Sequence, residues 1–314
     1  MADKGSHRLR VAEWVAIIWL AIIGFAAVFG PLLPLQDPTA QGECTTKQPK
    51  RELDASGSPV VVDGKYRLIA QPGCDFQKAA DDRSAAKPSS AHLLGNDQIG
   101  RDLLSRVVAG ARTSIFVSVG SVLAALVIGG GIGMVSAYVG GKVDAAVTLF
   151  SAAMVALPGL VLAISFVAAL GRTMFAVWAA LTVGAIPMVA LVSRIQSLSL
   201  IQREYVVAAK ALGATHSRVL LREVLPNLLP FAFVFVGLGF AGAVAAEGGL
   251  ALIGLSVDQP ATSWGAIIGD GKALLETAPH ISLIPSVVMF LTIWAATRLT
   301  DHLTDRLGVR GSAL

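Results

Sequence analysis

Long apolar runs alternate with short polar segments along most of the chain. Six runs are long enough to cross a bilayer as helices, which requires about 20 predominantly apolar residues each. The pattern therefore predicts an all-α polytopic membrane protein with six transmembrane helices. These helices are expected at about residues 12–35, 113–139, 145–170, 174–195, 229–252 and 281–300.

The first apolar run extends from Val11 to about Leu35 and follows a basic start. The apolar core of a cleaved signal peptide has about 7–15 residues, so this run is too long for one. The small-x-small triplet at residues 40–42 is also a weak match to a cleavage site. We interpret residues 1–35 as a cytoplasmic N-terminus and a retained first transmembrane helix.

Composition supports the same class of protein. Only 15% of the 314 residues are charged and 54% are hydrophobic, whereas a soluble domain carries about 25% charged residues. The net charge of +4 requires no nucleic-acid partner, because basic residues that keep loops in the cytoplasm give the same balance.

Basic residues predict which side of the membrane each loop faces. They cluster before the first run, between the second and third, between the fourth and fifth, and near the C-terminus. With six spans these four groups share one side, so we predict that both termini are cytoplasmic. Several basic residues on the opposite side oppose the bias, among them Arg101, Arg106, Arg112, Arg172 and Lys272, but residues 36–112 form a long loop, and long loops obey the rule poorly.

Residues 36–93 are expected to form a small external insert without catalytic residues. The stretch VVVDGKYRLIA predicts a hairpin around Asp63-Gly64. Cys44 and Cys74, the only cysteines in the sequence, both fall in this insert, where an oxidising compartment permits a disulfide. We predict that these two cysteines are bridged; two unpaired thiols are the alternative.

Residues 203–230, REYVVAAKALGATHSRVLLREVLPNLLP, place charges between two apolar runs. Val206, Ala209 and Gly213 recur at three- and four-residue spacings, as one face of a helix requires. Gly213 is expected to end this helix, because glycine permits a left-handed turn. A second short helix is expected to follow and to end at Pro226. Two such helices would form a compact knob for a partner protein; the alternative is an amphipathic connector that lies on lipid headgroups.

This stretch resembles the cytoplasmic EAA loop of inner-membrane permease subunits of ATP-binding-cassette importers, whose pattern is E-A-A-x3-G-x9-I-x-L-P. Val207 stands at the leading glutamate and Glu223 at the isoleucine, and Glu204, one turn earlier, is expected to supply the carboxylate. The resemblance implies that a loop at about residues 196–228 couples to a cytoplasmic ATPase. The residues implied in coupling are Glu204, Ala208, Ala209, Leu212, Gly213, Ala214, Leu225 and Pro226.

Two further stretches narrow the family. LGNDQIGRDLLSRVVAGARTSI (94–115) and LALIGLSVDQPATSWG (250–265) resemble signature blocks of dipeptide, oligopeptide and nickel permeases. Over about residues 90–310 the chain is similar to their C-type subunit. The resemblance implies the type I ABC importer permease fold in a bacterial inner membrane. Residues 94–112 would be an amphipathic segment at the outer interface and residues 113–314 the permease core.

The resemblance also implies partners and a function. The partners are a B-type permease subunit, two cytoplasmic ATP-binding subunits or domains, and an extracytoplasmic solute-binding protein. ATP and Mg²⁺ would be used by the ATP-binding partners, and no cofactor is expected on this chain. The implied function is ATP-driven import of di- or oligopeptides. Nickel or another small solute is the alternative cargo, and a self-sufficient secondary carrier is the alternative mechanism.

Several polar residues have two interpretations. The outer-interface group either anchors an interfacial helix or forms a ledge that meets the binding protein. It consists of Arg101, Asp102, Arg106, Arg112 and Trp264. Glu247 either lines the translocation path or makes an interhelical polar contact.

Glycines and prolines within the spans are also candidates for a role in transport. The glycines at 129, 130, 131 and 133 serve either close helix packing or a hinge. Pro158 and Pro187 are expected to bend the third and fourth spans.

Enzyme motifs are missing from the sequence. The stretch GAIIGDGKA resembles a phosphate loop, but Ala266 and Ala273 replace the first glycine and the hydroxyl residue that such a loop needs. The five histidines are scattered without metal-ligand spacing, and no G-x-S-x-G nucleophile elbow occurs. We therefore predict a transport subunit without a metal site.

Overall fold

The computed structural model describes residues 11–39, 50–51, 61–62, 65–66, 68–69, 87–88, 92–98, 100–258 and 261–306. Its helices are α1 (Val11–Phe29), α2 (Leu103–Val139), α3 (Gly141–Ala156), α4 (Gly159–Leu170), α5 (Met174–Ile201), α6 (Glu204–Ala211), α7 (His216–Arg218), α8 (Leu225–Leu252), α9 (Trp264–Gly271) and α10 (His280–Arg306). Single 3-10 turns cover Gly30–Leu32 and Lys272–Leu274, and a π-helical segment, Val219–Val224, joins α7 to α8.

Four two-residue strands lie in the predicted external insert: β1 (Lys50–Arg51), β2 (Val61–Val62), β3 (Lys65–Tyr66) and β4 (Leu68–Ile69). β2 pairs antiparallel with β3, and β1 pairs antiparallel with β4. Val61 is opposite Tyr66 and Val62 opposite Lys65, which is the pairing a two-residue hairpin has. The turn residues Asp63 and Gly64 and the predicted disulfide partners Cys44 and Cys74 lie outside the described residues.

The centre of the fold is a parallel pair of helices, α2 and α5. A Cβ atom placed on Gly120 would meet the Trp178 side chain, and one on Gly129 would lie 2.6 Å from the carbonyl oxygen of Ile186. Gly133, one turn further along α2, likewise touches the backbone of α5, at Ala190. Both helices thus advance in the same direction, with their backbones in contact where α2 has no side chain.

This parallel pair determines how the chain between its two helices must run. Because α2 and α5 point the same way, residues 140–173 have to return across the same depth. They do so as α3 and α4, which meet at a bend of 87°. Five unbroken helices have the length and composition of membrane spans, and α3 with α4 supplies a sixth that is broken. The predicted fold class is confirmed, and the number of candidate spans is six when the bent pair α3–α4 is counted as one span.

Proline chemistry accounts for the position of that break. Pro158 has no backbone N–H to donate, and Leu157 before it is extended, with φ −76° and ψ 134°, as residues preceding proline prefer. α4 begins directly after this pair. Pro187, in contrast, lies inside the continuous helix α5, so the expected bend that interrupts a span occurs at Pro158 alone of these two positions.

The remaining spans run antiparallel to their neighbours. α1 contacts α10 through an ion pair between Glu13 and His302 at 3.0 Å and a hydrogen bond from the Trp19 indole to Thr292 at 3.1 Å. α8 and α10 approach closely where Gly248 faces Met289. The first and last described helices therefore begin and end at the same end of the molecule.

The molecule has two ends, a knob end and a loop end. The knob end contains the knob, residues 203–224, together with the C-terminal ends of α2 and α10. The loop end contains residues 92–98, 100–102, 171–173, 253–258 and 261–279. An apolar core at the loop end joins α1, α2 and α9 around Leu103 and Trp264, both of which are 0% exposed.

Two predicted boundaries are corrected by the structure. The segment predicted at 94–112 is not a separate interfacial element, because α2 begins at Leu103 and continues for 37 residues, or about 55 Å. Asp102 caps this helix by accepting a hydrogen bond from the Ser105 N–H at 2.8 Å. The second helix of the knob does not end at Pro226, since the π-helical segment leads directly into α8.

Candidate coupling site and loop-end clusters

The knob is fixed to the spans by an apolar cluster on its inner side. Val206 of α6 is 0% exposed and packs with Val219 and Val224 of the following segment and with Met134 of α2. Leu228, at the start of α8, belongs to the same cluster. Because these side chains come from three parts of the chain, the cluster holds α6 against both the second and the fifth span.

Gly213 reverses the chain between the two halves of the knob. Its φ of +79° lies in the left-handed region that favours glycine. The Gly213 N–H donates to the Lys210 carbonyl oxygen at 3.0 Å, and the Ala214 N–H donates to that of Ala209 at 3.1 Å. These bonds satisfy carbonyl groups at the C-terminus of α6, so the predicted end of the first helix is confirmed.

The outer side of the knob presents a small apolar and acidic surface. Leu212, the last residue before the turn, is 89% exposed. Glu204 and Ala208 are also exposed, and Ala209 is half-buried. We call the exposed residues Glu204, Ala208 and Leu212 the docking face.

The other predicted coupling residues have supporting positions. Ala214 and Leu225 are half-buried and pack against the apolar cluster beneath the knob. Pro226 is exposed in the first turn of α8, where a missing N–H has the least effect on the helix. The eight residues thus comprise the docking face, the exposed turn residue Gly213, the exposed Pro226 and three half-buried residues: Ala209, Ala214 and Leu225.

Sequence reasoning missed a contact on the same knob. Tyr138, near the C-terminus of α2, forms a hydrogen bond between its hydroxyl and Nδ1 of His216 at 2.9 Å. The ammonium group of Lys210 lies 4.6 Å from the centre of the same ring. A tyrosine before two glycines in an apolar run was the one available signal, and it did not show which residues the ring would meet.

At the loop end, a buried network of ion pairs surrounds Asp97. The carboxylate of Asp97 accepts hydrogen bonds from Arg101 Nε at 2.5 Å and from Arg106 Nη1. Arg106 Nη2 also donates to Asp270 Oδ2 at 2.9 Å. Asp97 is 0% exposed and Arg106 2% exposed, so both charges depend on their partners.

A second polar cluster joins three elements around Glu247 of α8. Its carboxylate accepts a hydrogen bond from Ser263 Oγ at 2.5 Å and longer ones from Ser256 and Ser114, each at 3.3 Å. Ser114 Oγ in turn accepts from the Trp264 N–H at 3.1 Å. Glu247 is 1% exposed, so within this chain it makes an interhelical polar contact rather than lining an open path.

The outer-interface prediction needs a similar correction. Arg101, Asp102, Arg106 and Trp264 are buried, and the Trp264 indole donates to the Val107 carbonyl oxygen at 3.0 Å. Side chains enclosed in this way are not available to a binding protein. Arg112 alone of this predicted group remains exposed.

Comparison with known proteins identifies similar chains. Residues 129–309 match the family described as binding-protein-dependent transport system inner membrane component. The chain is 34% identical over 226 residues to a glutathione transport system permease protein of Pectobacterium atrosepticum, covering 72% of this chain and 75% of the relative. It is 32% identical over 220 residues to a dipeptide transport system permease protein of Alkalihalophilus pseudofirmus, covering 70% and 72%. An oligopeptide transport system permease protein of Haemophilus influenzae is 33% identical over 218 residues, covering 69% and 70%.

Proposed function

The chain belongs to the family of binding-protein-dependent transport system inner membrane components, and we propose that it is the C-type permease subunit of an ATP-driven importer of di- or oligopeptides. The family resemblance seen in the sequence is confirmed. The chain is a multi-pass membrane protein and a transport subunit rather than an enzyme.

The construction of the knob supports docking on a partner protein. Its inner side is held by buried Val206, while Leu212 at the tip is 89% exposed. Covering a leucine side chain is worth about 1.5–3 kcal/mol, so a groove that accepts Leu212 would gain from it. Small residues around it, such as Ala208, let a partner backbone approach. A connector lying on lipid would not need a fixed tip.

The partner at the docking face is a cytoplasmic ATPase in this proposal, and the knob end is therefore the cytoplasmic end. Basic residues support this orientation. Three of those that oppose the positive-inside bias, Arg101, Arg106 and Arg112, follow the long predicted external insert, and long loops are translocated largely regardless of their charge.

The complete importer in this proposal contains a B-type permease, two ATP-binding subunits or domains and an extracytoplasmic solute-binding protein. ATP and Mg²⁺ are used by the ATP-binding partners and not by this chain. Its membrane is the bacterial inner membrane, with both termini in the cytoplasm.

Peptide cargo is supported by what the relatives are named for, namely glutathione, dipeptide and oligopeptide transport. Nickel or another small solute is the alternative cargo for the same architecture. A self-sufficient secondary carrier is the alternative mechanism, and it would leave the docking face without a purpose.

Leu212→Glu tests the docking proposal. The added carboxylate would have to be desolvated in the groove, so association with the ATPase should fall at least tenfold, because burying an unpaired charge costs several kcal/mol. The measurement is co-purification of the ATPase with the detergent-solubilised subunit, alongside ATP-dependent uptake of radiolabelled trialanine, glutathione and Ni²⁺ by the reconstituted importer.

Gln202→Glu is the matched control, since it adds the same charge at an exposed position just before the knob. It should leave co-purification and uptake near the wild-type level. Full association of the Leu212→Glu subunit would overturn docking at this face, and uptake without ATP would favour the secondary carrier. Transport of Ni²⁺ but neither peptide would refute the cargo.

A further inference from the structure

Both halves of the knob converge on one side chain of α2. Lys210 belongs to α6, before the turn at Gly213, and its ammonium group lies 4.6 Å from the centre of the Tyr138 ring. His216 opens α7, after the turn, and forms the 2.9 Å hydrogen bond with the Tyr138 hydroxyl. The His216 ring also meets the tyrosine ring edge-on, with centroids 5.6 Å apart. We call Tyr138, Lys210 and His216 the Tyr138 junction.

The junction differs in kind from the apolar cluster below it. Val206 and Met134 hold the knob against α2 through apolar contact, which has no preferred direction. A hydrogen bond and a cation over a ring face are directional, and they fix the two halves relative to Tyr138. Rotation of the knob about the end of α2 must therefore break the junction or carry Tyr138 with it.

Movement of Tyr138 would not stay local. Gly133 lies five residues before it and touches the backbone of α5, and Gly129 does so one turn earlier. With no side chains between the two backbones, α2 cannot shift here without displacing α5. The same α2 reaches the loop end, where Ser114 contacts Glu247 of α8. Tyr138 thus lies at the start of a chain of close contacts that spans the molecule.

We propose that Tyr138 is a positioning residue that transmits movement of the knob to α2 and α5 during transport. This inference rests on the proposed docking of the knob on an ATPase. When the knob is docked, conformational changes of the ATPase move it, and the Tyr138 junction makes the knob and α2 move together. Without the junction the knob still folds on its apolar cluster and still docks, but ATP hydrolysis moves the spans less effectively.

Tyr138→Phe removes the hydroxyl while keeping the ring under Lys210. Losing one hydrogen bond should lower the number of peptide molecules imported per ATP hydrolysed about fivefold. Tyr138→Leu removes the ring as well and should lower that ratio about tenfold or more. Both variants should co-purify with the ATPase as the wild type does, because the docking face is unchanged.

The assay uses the reconstituted importer with its binding protein, supplied with trialanine and glutathione together, and records uptake and ATP hydrolysis in the same vesicles. Tyr205→Phe is the matched control, since it removes a hydroxyl from the same knob that bonds to none of the described residues. His216→Ala should lower the ratio as Tyr138→Phe does. Combining the two should lower it no further, because they remove the same bond.

Three results distinguish this inference from its premise. An unchanged import-to-hydrolysis ratio in Tyr138→Phe and Tyr138→Leu would overturn the transmission role while leaving docking intact. Loss of ATPase co-purification in Tyr138→Phe would also overturn it, since Tyr138 would then merely hold the knob in shape. Failure of the docking proposal itself would be shown by a different result: undiminished co-purification of the ATPase with the Leu212→Glu subunit.

Discussion

Two buried serines, one helical turn apart on α2, have opposite surroundings. Ser114 Oγ donates to Glu247 at 3.3 Å and accepts from the Trp264 N–H at 3.1 Å. Ser118 is equally buried, at 0% exposure, and its hydroxyl finds no partner among the described residues. A buried hydroxyl stabilises a fold only when it is bonded, so the same residue type contributes with opposite sign at these two positions.

Ser114→Ala should therefore destabilise the protein by about 1–3 kcal/mol, since it leaves the Trp264 N–H unsatisfied and removes one donor from Glu247. Ser118→Ala should be neutral or slightly stabilising. Thermal unfolding of the detergent-solubilised subunit, followed by tryptophan fluorescence, compares the two. Equal midpoints for both variants would show that the hydrogen bonds of Ser114 contribute nothing to stability.

At the scale of elements, the parallel pair of α2 and α5 organises the spans around it. Glycines of α2 do not all serve this contact. Gly129 and Gly133 face the α5 backbone, whereas a Cβ atom on Gly130 or Gly131 would have none of the described residues within 4 Å. The structure thus assigns two of the four clustered glycines to packing.

Gly133→Ala should destabilise the α2–α5 pair by about 1–3 kcal/mol, because the added methyl group would overlap the Ala190 carbonyl and lie 2.8 Å from the Arg194 nitrogen. Gly131→Ala is the control on the same helix and should be neutral, or stabilising by up to about 1 kcal/mol. Thermal midpoints of the solubilised variants provide the measurement. A Gly133→Ala midpoint equal to that of Gly131→Ala would contradict backbone contact at this position.

Local signals in the sequence predicted the helices and the turn of the knob. Run length suffices for the spans, and Gly213 marks the end of α6 because its conformation suits few other residues. The burial of Arg106 was not predictable, since it depends on Asp270, 164 residues away along the chain. An arginine in an amphipathic segment indicates a surface until its distant partner is known.

At the scale of the whole molecule, α2 and α5 run in the same direction, so the chain has to return between them through α3 and α4. Counting this broken pair as one span gives six crossings of the membrane. The ion pair between Arg194 and Asp144, bonded at 2.6 Å, ties the start of α3 to the knob end of α5. The Arg172 carbonyl oxygen accepts from the Asp258 N–H at 2.9 Å and ties the other end of the broken span to the loop end. A re-entrant loop would bring both of its ends back to one side.

Single cysteines test this arrangement after the native pair is removed. Lys142→Cys and Ser217→Cys should react with a membrane-impermeant thiol reagent only from the cytoplasm. Arg172→Cys and Glu276→Cys should react only from outside, because their positions lie at the loop end. Labelling of residues 142 and 172 from the same side would show that α3 and α4 form a re-entrant loop instead of a span.

The π-helical segment determines how far the knob is rotated around the axis of α8 relative to the spans. The N–H of Leu225 donates to the carbonyl oxygen of Leu220, five residues back, so Val219–Val224 holds one residue more than an α-helix of the same rise. If these residues were wound as a regular α-helix, the extra residue would no longer be absorbed, and everything before them would be rotated by about 100° around the axis of α8. Leu212 would then face a different sector, and His216 would leave Tyr138. The direction in which the subunit presents its knob is thus specified by the winding of one short segment, and the same side chains on a regular α-helix would meet a different part of the partner.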